Sequence, residues 1–117
     1  MPSKRSRLVR NMADLIELTD EVCEVLERYR ASSLELSDRL QRGEMLEVIY
    51  PAIEGPARPR EVTEALVRFA AARHQVRLAM FELGREQGVS IAEVGRQLGL
   101  SRQLASRLAK EAKGPPT

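Results

Sequence analysis

The sequence predicts an all-α protein, and three observations carry that reading. Hydrophobic residues make up 43% of the 117-residue chain but aromatics only 3%, so the interior is built from Leu, Val, Ile, Met and Ala, which suits helix packed on helix. β-Branched runs with period two are missing. Prolines gather at Pro51, Pro56, Pro59 and the tail, leaving long uninterrupted stretches between them. The expected order is one long N-terminal helix followed by a compact three-helix unit. The division falls at residues 1–55 and 56–117.

The N-terminal helix is announced by steps of four and three from Leu8 onward. They select Leu8, Met12, Leu15, Thr19, Val22, Leu26, Tyr29, Ser33, Leu36 and Leu40, of which all but Thr19 and Ser33 are apolar. That spacing keeps a narrow stripe on one side of a helix and suits a coiled-coil seam. Ile16, Leu18, Cys23, Val25 and Leu34 widen it, so a helical bundle is a second solution. Gly43 or the Ser32-Ser33 pair is the expected end or bend. Unbroken from Leu8 to Arg42, the helix would run about 50 Å at 1.5 Å per residue. A stripe of this kind needs cover, from the C-terminal half of the same chain or from a second copy. Its length relative to the small unit that follows favours a homodimer, with Leu8, Met12, Leu15, Val22, Leu26, Tyr29, Leu36 and Leu40 at the interface.

Residues 43–59 read as a connector with a short helical turn around Leu46 to Tyr50. Met45, Leu46, Val48, Ile49 and Ile53 are expected to bury against neighbouring helices. A second helix is expected from about Arg60 to Gln87, with Pro59 at its start. Its inner side carries Val62, Leu66, Phe69, Val76, Met80 and Leu83, flanked by Ala65, Ala72 and Ala79, while Arg73 extends its head to solvent. Gly88 is a stop signal. Ser90 then starts a new helix, with Glu93 three residues on forming a capping box.

Val89 to Lys110, VSIAEVGRQLGLSRQLASRLAK, is the most informative stretch. Val94 and Leu98 face a small core. Gly95 places almost no side chain where two helices cross, and Gly99 accepts the positive φ of a sharp turn. Leu100 plugs the turn, Ser101 caps the last helix, and Ala105 and Leu108 point inward. Arg102, Gln103, Ser106, Arg107 and Lys110 are left outside, and Arg102 to Lys110 contains no acid.

This pattern resembles the helix-turn-helix motif of bacterial DNA-binding proteins. The residues that carry it are Val94, Gly95, Leu98, Gly99, Leu100, Ala105 and Leu108, with Ser101 opening the recognition helix. With its supporting helix the resemblance spans about half the chain. It is similar to the compact three-helix form of sigma-factor C-terminal domains and small repressors. It departs from many relatives in one respect: Gly114-Pro115-Pro116-Thr117 is too short for a β-wing. The resemblance implies that the helix starting near Ser101 enters the major groove of double-stranded DNA. Arg102, Gln103, Ser106 and Arg107 are then the expected base-contacting residues, since arginine matches guanine and glutamine matches adenine by paired hydrogen bonds. Ser90, Arg96, Lys110 and Lys113 are the expected phosphate contacts, which orient without reading sequence.

Charge supports a polyanionic partner. The net charge of +2 conceals +4 in residues 1–10, −7 in residues 11–54, +2 in residues 55–84 and +3 in residues 85–117. Lys4-Arg5-Ser6-Arg7 has two readings, an arm reaching DNA or a disordered solubilising tail. The acidic 11–54 segment offers an alternative role, an adaptor that binds polymerase or a replication or partition factor. An enzyme is disfavoured, because no nucleophile with a base, carboxylate cluster or phosphate-binding glycine loop is visible. The lone Cys23 forms no internal disulfide, and with one histidine, His74, it gives no metal-ligand spacing; no cofactor is expected. No apolar run approaches the roughly 20 residues of a membrane span. The expected protein is cytoplasmic, nucleoid-associated and a transcriptional regulator.

Overall fold

The computed structural model describes residues 3–113. Among them are five helices and no strand: α1 Lys4–Gln41, α2 Leu46–Ala52, α3 Ala57–Glu86, α4 Ile91–Gln97 and α5 Arg102–Lys113. The all-α expectation holds, long first helix included. α1 passes through Ser32-Ser33 without a break; the Ser33 hydroxyl donates to the Tyr29 carbonyl one turn back (2.9 Å). It ends where Gly43 takes φ +85°. Helix α3 begins at Ala57, three residues earlier than the sequence suggested. Pro59 therefore sits in the first turn, where its missing N–H leaves no intrahelical bond unmade.

Contacts divide the chain into two compact units. The first joins residues up to Leu15 with those from Ala71 onward, so it holds the start of α1, the second half of α3, α4 and α5. Its core is Leu78, Phe81, Val94, Ala105, Leu108 and Ala109, with Leu98, Leu100, Leu104 and Ala112 packed against it. Arg7 ties α1 to α3 through Glu82 (2.9 Å), and Asn11 donates to the Gln75 carbonyl.

Ile16–Ala70 forms the second unit. Val25, Ile49 and Ala65 are its buried hydrophobic residues. Glu21 pairs with Arg68, and Arg28 with Glu61 (3.4 Å). Across the α1–α2 turn, Arg39 holds Glu44 at 2.8 Å, and the hydrogen bond between them keeps that carboxyl below its usual range.

The α1 stripe differs from the expected seam in one respect. The positions covered within the chain are Leu8, Asn11, Leu15, Leu18, Glu21, Val22, Val25, Ser32, Leu36 and Arg39. Leu8, Leu15, Val22 and Leu36 of the expected interface are thus half-buried at home, while Met12, Leu26, Tyr29 and Leu40 stay 42–46% exposed. The two heptad series share Leu8, Leu15, Val22 and Leu36 and differ by one residue at every second member. Leu18 takes the inner place from Thr19, which would bury less apolar surface, and Val25 takes it from Leu26.

Two further expectations are corrected. Of the connector residues, only Ile49 buries fully and Ile53 partly; Met45, Leu46 and Val48 are 55–61% exposed. The seven-residue α2 has room to insert one side chain, and its other faces have nothing in the chain to cover them. On α3, Leu66 is 45% exposed rather than inward. Its neighbour Ala65 takes the buried place, because a small residue lets the helices approach closely.

Candidate nucleic-acid interface

The site is built by two helix ends of the same construction. At the end of α3, Gly88 has φ +77°, its N–H donates to Arg85 O (3.2 Å), and Val89 N–H donates to Gly84 O (2.8 Å). At the end of α4, Gly99 has φ +71°, its N–H donates to Arg96 O (3.1 Å), and Leu100 N–H donates to Gly95 O (2.9 Å). Both are Schellman closures, which satisfy the last carbonyls of a helix and reverse the chain sharply. The residue after each glycine begins the approach to the next helix.

Both following helices are capped by serine. Ser90 Oγ accepts the Glu93 N–H (3.1 Å), and Ser101 Oγ accepts the Leu104 N–H (3.1 Å). The reciprocal half of the expected capping box is replaced. Glu93 turns its carboxylate along α4 to Arg96 Nε (3.0 Å) and Gln97 Nε2 (2.9 Å). Those two hydrogen bonds, Arg96 first, hold the Glu93 carboxyl below its usual range.

The crossing of α4 and α5 depends on Gly95. A β-carbon there would lie 2.6 Å from that of Ala105, well inside van der Waals contact. Gly84 does the same for α3 against α4: a β-carbon would fall 2.8 Å from Val94 Cγ2. Sequence reading missed this second glycine, although a glycine inside a helix is itself the signal. Also missed were two ties that fix α5 to α3. His74 Nε2 lies 2.7 Å from Glu111 Oε1, and Arg85 donates to the Ala109 carbonyl (3.3 Å).

Held this way, α5 buries Ala105, Leu108 and Ala109 and exposes Arg102, Gln103, Ser106, Arg107 and Lys110. Arg102, Gln103, Ser106 and Arg107, the four expected base-contacting residues, line one shallow depression. Ser90 and Arg96 line a hollow between α4 and α5 together with Arg102, so two of the expected phosphate contacts adjoin the same helix. Lys113 lies apart, in a hollow with Phe81, Arg85 and Val89. Among the described residues no carboxylate stands within ion-pair distance of Arg102, Arg107, Lys110 or Lys113. Arg96 alone of the expected cations is engaged, by Glu93. Glu111, the acid on α5, is drawn off to His74.

The charge asymmetry follows the two units. The one containing α5 carries 12 basic and 5 acidic residues, a net +7, and Ile16–Ala70 carries 7 and 12, a net −5. The N-terminal cations contribute to the first as part of α1. Residues from Lys4 are helical and Ser3 Oγ accepts the Ser6 N–H (3.0 Å), so Lys4 to Arg7 form neither an extended arm nor a disordered tail.

Among the described residues no group of three His, Cys, Asp or Glu side chains is placed to hold a metal ion, and no helix is long and apolar enough to cross a membrane. Compared with protein-family models, curated proteins and solved structures, the chain matches none.

Proposed function

We propose that this chain is a sequence-specific double-stranded DNA-binding protein, a homodimeric transcriptional regulator of the bacterial nucleoid that reads the major groove with α5. One observation carries the reading: α5 presents Arg102, Gln103, Ser106 and Arg107 together, exposed and without acidic partners, on a unit of net charge +7. A solvated helix with no partner ordinarily mixes acids among its bases, which gains pairing and solubility. A face of free guanidinium and amide groups suits base edges and phosphates instead.

In this reading the first turns of α5 meet base edges, while Ser90, Arg96 and Lys110 grip the phosphates on either side. Glu93 holds the Arg96 head extended along α4, and on DNA a phosphate takes over that guanidinium. The homodimer doubles the contact, since one such unit reads only a few base pairs; its site is an inverted repeat.

Selection of bound sequences from a random oligonucleotide pool tests the proposal directly. A conserved inverted repeat is expected, with binding that weakens steeply as salt rises. Recovery of random sequence, or salt-insensitive retention, would refute it.

A second reading is an adaptor that recruits polymerase or a replication or partition factor. It is favoured by the start of α2, where Leu46, Val48 and the preceding Met45 stand exposed on the acidic unit. A mobility shift on genomic fragments separates the two, because a pure protein adaptor gives no shift.

A further inference from the structure

Helix α5 carries four cations, Arg102, Arg107, Lys110 and Lys113, and one acid, Glu111. At about 100° per residue, Glu111 lies between two side chains one turn back along the helix. It stands about 60° from the buried Leu108 and about 40° from the exposed Arg107. Its carboxylate therefore has two directions open to it, towards α3 or outward along α5. It takes the first, where His74 Nε2 on α3 lies 2.7 Å from Glu111 Oε1. A carboxylate only accepts, so the ring nitrogen is the donor.

The other direction leads to one residue. Side chains three or four apart on a helix are neighbours, whereas those one or two apart do not face each other. Lys110 and Lys113 stand one and two residues from Glu111, so Arg107, four residues back, is the cation of α5 within its reach. In the last turn, moreover, an acid sits at the negative end of the helix dipole, and a cationic partner offsets that cost. Glu111 without His74 has reason to turn to Arg107.

We infer that His74 is a positioning residue for the DNA-reading face: by holding Glu111 against α3, it keeps the acid of α5 off Arg107. The inference rests on the reading of α5 proposed above and adds a residue of α3 to that site. With His74 in place, Arg107 is exposed and has no carboxylate within ion-pair distance among the described residues. Without it, the Glu111 carboxylate neutralises that guanidinium and brings a negative charge towards the phosphates.

The first test titrates a fluorescein-labelled duplex bearing the selected site, at low salt, with wild type and three variants. His74→Ala should bind about two- to five-fold more weakly, the size of effect expected of an exposed ion pair. Helical circular dichroism should be retained, since His74 is no part of the buried core. His74→Gln, whose side-chain amide can still donate to Glu111, should bind like wild type. His74→Ala combined with Glu111→Gln should recover wild-type affinity, because the acid is gone even though the tie to α3 is gone too. A double variant as weak as His74→Ala would mean that the tie only holds α5 in place. That result, or an unweakened His74→Ala, would overturn the inference.

The second test needs no DNA. Melting temperatures of Arg107→Ala, Glu111→Gln and the two changes together measure the coupling between these residues. The coupling should be absent in the wild-type chain and appear after His74→Ala, at about 1–3 °C. Coupling already present in wild type, or none after His74→Ala, overturns the inference. Should wild type shift no duplex at all, the function proposed above falls, and the melting cycle still decides whether His74 holds Glu111 off Arg107.

Discussion

The two units are nearly equal in size and unequal in how they spend their apolar residues. In the one bearing α4 and α5, eight hydrophobic residues are buried and four large ones are exposed; in Ile16–Ala70 three are buried and eleven exposed, counting the described residues. The charges differ in the same sense. Arg28, Arg30, Arg39, Arg42, Arg58 and Arg68 of the acidic unit are all in ion pairs. The exposed cations of α5 have no such partner. One region therefore has a finished interior and unpaired cations on α5, the other paired arginines and an unfinished interior. That contrast is what the proposed reading rests on: free cations on α5 in the first, uncovered apolar side chains in the second.

The largest effect is expected where the sparse core is breached. Ile49 is fully buried, so Ile49→Ala should cost about 2–5 kcal/mol, read as a lower denaturant midpoint. A loss under 1 kcal/mol would mean that Ile16–Ala70 is held by something other than its three buried hydrophobic residues. In the well-packed unit the breach comes from overfilling. Gly95→Leu should cost about 1–3 kcal/mol or more, as the new side chain collides with Ala105. An unchanged melting temperature would remove the reason given for that glycine. Smaller again is Ser90→Ala, about 1 kcal/mol from a lost cap on α4. Smallest is Met45→Gln on the exposed connector, within about 0.5 kcal/mol by the rule for surface sites. A large loss there would show that α2 is already covered in solution, which would favour the adaptor reading.

How much of this could be read from the sequence depended on whether local chemistry or tertiary contact decided the outcome. The helix ends were legible, because Gly88, Gly99, Ser90 and Ser101 act within a few residues of themselves. The crossing at Gly95 was legible too, since a glycine and an alanine at fixed spacing around a turn leave few alternatives. The inward face of α1 was only half legible. Leu8, Leu15, Val22 and Leu36 belong to both heptad series, and the choice between Thr19 or Leu26 and Leu18 or Val25 was made by tertiary packing rather than by local sequence. For the same reason the exposure of Met45, Leu46 and Val48 was missed: apolar side chains predict burial, but a seven-residue helix in a small chain has one face to bury. On the candidate site, residue types announced the outer face of α5. The removal of Glu111 by His74, and of Arg96 by Glu93, required the packed structure.

The central claim is that α5 reads bases while the cations around it grip phosphates, and paired substitutions on the selected DNA site test it most directly. Arg102→Ala should cost about 1–3 kcal/mol on that site and relax the base preference at one position of each half-site. Lys110→Ala should weaken all sequences alike and reduce the slope of log affinity against log salt by about one unit. If both variants keep wild-type affinity, sequence preference and salt slope, α5 is not the reading helix and the account fails.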